Sequence, residues 1–261
     1  MSHQFRPGSS PLLISFPHNG SHIPDAVAAT MTEEGRTSYD TDWFLDRLYD
    51  FEELADASTI IAQQSRYVID LNRPKSDESL YPGQTTTGLI PKTRFDGHAI
   101  YTAEPDETEI QRRIDEIWSP YHQQIESELY RLVQEHGIAV LIEAHSIKSQ
   151  VPRLFEGRLS DFNIGTSRGA SCDVALTDSV MNVIGSHTEY SSVLNERFVG
   201  GYITRHFGDP SNNRHALQIE LSQATYLDES SNRWNDEKAS RVQPVFRDII
   251  SGVKQWLVTK Q

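Results

Sequence analysis

Val140-Leu141-Ile142-Glu143-Ala144-His145-Ser146 is an apolar run that closes on an acid, a small residue, a histidine and a serine. A short apolar run bounded by polar residues predicts a strand buried in a sheet. Ligands of open α/β sheets collect beyond the carboxyl ends of such strands, which places His145 at the rim of a crevice. A second run, Leu12-Leu13-Ile14-Ser15-Phe16, ends in Pro17-His18-Asn19-Gly20 and brings another imidazole to the same rim.

Working outward, apolar side chains recur at helical spacing over 42–51, with Asp40, Thr41 and Asp42 as capping groups. Segments 58–62 and 66–71 read as strands, and 75–101 loses periodicity in the manner of a long loop over a rim. A charged helix is predicted over 106–136, kinked or divided by Pro120 and ended by Gly137. Segment 148–171 is irregular, 173–184 is helical, and 217–222 alternates as a strand whose odd member is Glu220. An amphipathic helix through Val242, Val245, Phe246, Ile249, Ile250, Val253 and Trp256 closes the chain. Strands alternating with helices predict a three-layer α/β fold, a mixed and mostly parallel central sheet with helices on both faces. Its 261 residues suit one domain, 1–261.

The 37 acids against 24 Lys plus Arg give a net charge of −13, which argues against nucleic-acid and membrane partners. A small anionic substrate stays compatible, because a few arginines focused in one cleft set the local field. Cys172 is the only cysteine, so no disulfide forms within the chain, and its surroundings read as the approach to a helix rather than as a nucleophile. Without an apolar leader or a run of 18 apolar residues, the expectation is a cytoplasmic protein. Oligomeric state is not set by these features.

His18, His145 and one acid make the two-imidazole, one-carboxylate donor set of a zinc site with an open fourth position, and other divalent metals fit the same donors. The acid is open between Asp42, Asp40 and Glu143. Asp42 lies at a helix start near the rim, whereas Glu143 is one pleat deeper, where it would orient an imidazole. Glu220, a carboxylate in an apolar strand, must either be paired, for instance with Arg214, or open onto the crevice as a general base. Arg66, Arg73, Arg205 and Arg214 are the anion-binding candidates. Arg73 follows Asn72 directly, so a planar fork and an amide can converge on one carboxylate.

In order along the chain, LLISFPHNG, DTDWFLDRLYDF, SRYVIDLNRP, EAHSI, GASCD, GGYITRHFGDP and QIELSQATYLDE resemble the N-formylglutamate amidohydrolase family of histidine degradation. That family is itself similar in fold to zinc carboxypeptidases and aspartoacylases. The resemblance covers about 12–229. It implies zinc held by His18 and His145, a general base at Glu220, and a substrate carboxylate held by Asn72 and Arg73. The implied reaction is metal-dependent hydrolysis of N-formyl-L-glutamate, with Arg205 on the side-chain carboxylate, Arg66 assisting the oxyanion, and residues 81–94 closing a cramped acyl pocket. The rivals are a deacylase of another N-acyl amino acid, a carboxypeptidase-like peptidase, and a non-catalytic carboxylate-binding protein. One departure stands out: carboxypeptidases carry a ligand Glu three residues after the first His, and here that residue is Ser21. Asp42 is therefore the inferred third ligand.

Overall fold

The computed structural model describes residues 2–80, 83 and 85–260. In chain order its first half holds β1 (His3–Arg6), β2 (Leu12–Phe16), α1 (Asp25–Ala28), α2 (Leu45–Leu48), β3 (Ser58–Ala62), α3 (Glu107–Arg113), α4 (Ser119–His136) and β4 (Ala139–Ile147). The second half adds β5 (Phe162–Gly165), α5 (Val174–Ser186), β6 (Ser192–Leu194), α6 (Tyr202–Phe207), β7 (Arg214–Ser222), the short pair β8 (Leu227–Asp228) and β9 (Arg233–Trp234), and α7 (Asp236–Val258).

Seven strands form one sheet in the order β1-β3-β2-β4-β7-β5-β6, with β4 in the middle and all nine of its residues buried. β3, β2, β4 and β7 are mutually parallel, β1 and β5 run antiparallel to their inner neighbours, and β6 is parallel to β5. The mixed, mostly parallel sheet matches the expectation, and so do helices on both faces. Val140, Ile142 and Ala144 pack with Leu176 and Val180 of α5 and Phe246 and Ile249 of α7. Leu141 and Leu13 pack on the opposite face with Tyr121, Ile125 and Leu129 of α4. Among the described residues no helix is long and apolar enough to cross a membrane.

Three expectations need correction. Segment 66–71 is no strand: Val68 N donates to Ser65 O at 2.9 Å and the chain turns. Tyr67, Val68 and Ile69, three consecutive residues, all enter one apolar cluster, whereas successive side chains of a strand point to opposite faces. The helix expected over 42–51 shrinks to α2, because Phe44 sits at φ 57° just before it. Tyr226 Oη donates to Trp43 O at 2.9 Å, so tertiary contacts hold this bend against helical propensity. Pro120 does not divide its helix. A wider π-type turn over Ile114–Trp118 joins α3 to α4 just ahead of the proline, where its ring would crowd a regular turn. The edge strands β1 and β6, and β5 beside β6, were not expected, being too short to show a period.

Cys172 is buried beside Thr177, with Sγ 3.0 Å from its Oγ1, and burial pushes the thiol up to about 11. It is a small core residue, as its surroundings implied.

Candidate active site

Side-chain parity decides which residues meet. With Val140, Ile142 and Ala144 facing α5 and α7, Glu143 and His145 face the other side, as Gln218 and Glu220 do on β7. His145 and Glu220 are register partners on adjacent strands. α4 covers this face only to its first turns, where Tyr121 Oη lies 2.9 Å from Ser15 Oγ. Beyond that point the face lines a cavity with His18, Arg66, Arg73, Phe95 and Arg197.

His18, Asp42 and His145 bring ligand atoms within 4.8 Å of one another, all three residues buried. Asp42 N donates to His18 O at 3.0 Å, so the chain after β2 and the segment before α2 are tied together at this point. Asp42 Oδ2 lies 3.1 Å from His145 Nδ1 and accepts from Ser146 N at 3.1 Å. Each imidazole is held from behind by a carboxylate: Asp70 Oδ1 is 2.7 Å from His18 Nε2, and Glu143 Oε1 is 2.6 Å from His145 Nε2. Glu143 is fixed in turn by the Thr204 hydroxyl and by Thr204 N at 3.1 Å, at the start of α6. Asp40 is elsewhere, accepting from Tyr67 Oη at 2.7 Å and Phe95 N at 2.8 Å.

These residues fit a divalent metal. His18 Nδ1 is buried and without a hydrogen-bond partner among the described residues, and burial together with Arg66 lowers its pKa, which favours the neutral ring with a free lone pair. Burial alone would lower His145 as well, but Glu143 and Asp42 outweigh it and hold the imidazole well above its usual range. Such an excess of carboxylates is what a cation balances, with release of the proton from nitrogen. Carboxylates behind the ligand imidazoles are the usual outer support of such sites.

Glu220 lines the cavity, buried, with Gln218 Nε2 donating to its Oε2 at 3.0 Å. Burial pushes its carboxyl up to about 8. It is not paired with Arg214, which is held by Glu126 at 2.9 Å at the amino end of the same strand. The two are six positions apart along the strand, about 20 Å, so the substrate role considered for Arg214 also falls. Arg66 does line the cavity, its Nη2 2.7 Å from Asp70 Oδ2 and its guanidinium 4.8 Å from the centre of the Phe95 ring.

Asn72 and Arg73 both line the cavity but are engaged differently than expected. Asn72 Nδ2 lies 3.0 Å from His145 Nε2 and its Oδ1 accepts from Ile203 N at 3.0 Å, so the amide locks β4 to α6. Gly201 is required there, since a Cβ would lie 2.1 Å from Asn72 Nδ2. The space left by the missing Cβ is filled by the Asn72 amide. Arg205 donates to Gly200 O at 2.8 Å and Leu80 O at 3.0 Å and is not among the described residues that line the cavity. Of residues 81–94, Tyr81, Pro82 and Gln84 lie outside the described residues, while Thr85, Thr86 and Thr87 line the cavity.

Sequence reasoning missed Asp70 and Arg197. Asp70 carried a signal, an acid between Ile69 and Leu71 that must be paired if buried. Arg197 carried none, lying in a connection without pattern.

The family model for N-formylglutamate amidohydrolase matches residues 10–227. An N-formylglutamate deformylase of Pseudomonas aeruginosa is 48% identical over 255 residues, 97% of this chain and 96% of that protein. One from Pseudomonas putida is 45% identical over 255 residues, 97% of this chain and 95% of its own length. Among solved structures, the N-formylglutamate amidohydrolase of Ralstonia eutropha JMP134 superposes with a TM-score of 0.84 at 23% identity, over 100% of this chain and 99% of that one. A gene product of Agrobacterium tumefaciens gives 0.73 at 16% identity, over 97% and 95%. At those identities the two structures speak for the fold.

Proposed function

Because this chain belongs to the N-formylglutamate amidohydrolase family, we propose that it hydrolyses N-formyl-L-glutamate to formate and L-glutamate in the cavity beneath Glu220, with zinc held by His18, Asp42 and His145. The observation that carries the metal is the buried Nδ1 of His18, unpartnered among the described residues, beside Asp42 and His145. A divalent ion there supplies Lewis-acid activation of water and of the formyl oxygen.

The chain's own residues do the rest. Glu220 accepts the proton of the attacking water and delivers it to the leaving nitrogen, a double duty suited to a carboxyl raised by burial. Arg66, fixed by Asp70, offers a positive charge to the oxyanion that develops on the formyl oxygen. Arg73 holds the α-carboxylate. Asn72 packs beside His145 and holds α6 through its Oδ1, which accepts from Ile203 N. Glu143 and Asp70 keep the two imidazoles aimed.

Metal analysis of the purified protein, coupled to a formate-release assay on N-formyl-L-glutamate, tests the reading. The expected result is about one divalent ion per chain and strong preference for the formyl over the acetyl compound. Turnover of N-acetyl and longer acyl amino acids as fast as the formyl substrate would replace it with a general deacylase. Binding of N-formylglutamate without turnover would leave only a carboxylate-binding protein.

A further inference from the structure

We propose that Arg197 recognises the second carboxylate of the substrate, and that the Thr85–Thr87 segment sets its distance from Arg73; this rests on the deformylase reading above. Arg197 lines the same cavity as Glu220, His145 and Arg73. Arg73 Nε donates to Thr87 O at 2.7 Å and its Nη1 to Asn72 O at 2.9 Å. Arg197 Nη2 donates to Thr85 O at 3.3 Å and its Nε to Leu154 O at 3.1 Å. These four acceptors are backbone carbonyls, and they fix the position of each guanidinium beside the cavity.

The spacing is compatible with a short dicarboxylate. Thr85 and Thr87 are two residues apart, so their α-carbons are at most about 7 Å apart. The two guanidinium groups seated on their carbonyls are thereby held on one short segment of chain. The carboxylate carbons of glutamate are four bonds apart, about 5 Å when extended in ~1.5 Å bonds, and aspartate is one bond shorter. A dicarboxylate of glutamate length bridges two such forks, each able to bind a carboxylate through paired N–H groups. Glutamine has the length but lacks the charge, leaving one guanidinium without its counter-ion.

The test compares wild type, Arg197→Met and Arg205→Met on N-formyl-L-glutamate, N-formyl-L-glutamine and N-formyl-L-aspartate, with calorimetric binding of L-glutamate as a second readout. Wild type is expected to prefer the glutamate compound to the other two by ~10²-fold or more in kcat/KM. Arg197→Met should lose most of the preference over glutamine, chiefly through KM, and most of the affinity for L-glutamate. Arg205→Met should keep both. Arg197→Gln, which retains a donor for the carbonyls, should behave like Arg197→Met and covers the case in which the latter does not fold. A folded Arg197 variant that keeps the preference overturns the proposal, as does its loss in Arg205→Met. A wild type without activity on N-formylglutamate sinks the deformylase reading instead, and L-glutamate binding by the variants still decides the role of Arg197.

Discussion

Asp70 behind His18 and Glu143 behind His145 hold two imidazoles in fixed orientation, and the roles of the surrounding carboxylates separate by what they touch. Glu143 contacts an imidazole and the start of α6, so Glu143→Gln should weaken metal binding by ~10–100-fold without abolishing it. Asp42→Ala, which removes a donor, should lose the metal outright. Metal titration of the two variants compares them directly, and the reverse order would make Glu143 the ligand. Glu220 bonds only Gln218 through its carboxylate among the described residues. Glu220→Gln should keep metal and L-glutamate affinity and lose ~10²–10⁴-fold in kcat, and unchanged kcat would remove the base from the mechanism. At this scale the sequence was readable where a polar residue interrupts an apolar run, as His145, Glu143 and Glu220 do. Arg197 interrupts nothing, and only its approach to Thr85 marks it.

α4 begins behind Arg73. Trp118 Nε1 donates to Arg73 O at 2.9 Å, and the Trp118 ring stacks on His122 at 3.6 Å between centroids. His122 is buried, its Nδ1 bonded to Trp118 O at 2.7 Å, and burial pushes its pKa from 6.5 down to about 3. Between those values the unfolded chain binds a proton that the folded protein refuses, so stability rises with pH across that window. The contribution is complete above pH ~6.5 and is lost as pH falls toward ~3. His122→Gln should therefore flatten the acid side of a melting-temperature profile between those limits. A profile as steep as wild type would show that other groups govern acid unfolding. The same element shows where pattern reading stopped: helical periodicity runs through 106–136, but whether Pro120 breaks the helix or is absorbed by a π-type turn depends on what packs against it.

Across the whole molecule, the apolar clusters on the two faces of the sheet are built without His18, Asp42 or His145, so the fold and the proposed metal are separable. Exhaustive chelation should abolish formate release while leaving far-ultraviolet circular dichroism intact, with a lower melting temperature because the ion binds only the folded state. Full activity after complete metal removal would discard the metal. The sequence by itself determined the α/β class, the mixed sheet and its helical layers, because buried strands and amphipathic helices are written in local periods of two and 3.6 residues. It also placed His18, His145 and Glu220 at strand ends, since an ionisable residue closing an apolar run has nowhere to go but the rim. Tertiary structure alone decided that 66–71 turns, that Asn72 packs beside His145, that Arg214 lies at the far end of β7, and that Arg197 reaches the cavity. Those outcomes rest on contacts between segments distant in the chain, Arg197 with Thr85 and Asn72 with Ile203, and no local period records which distant partner a polar side chain will find.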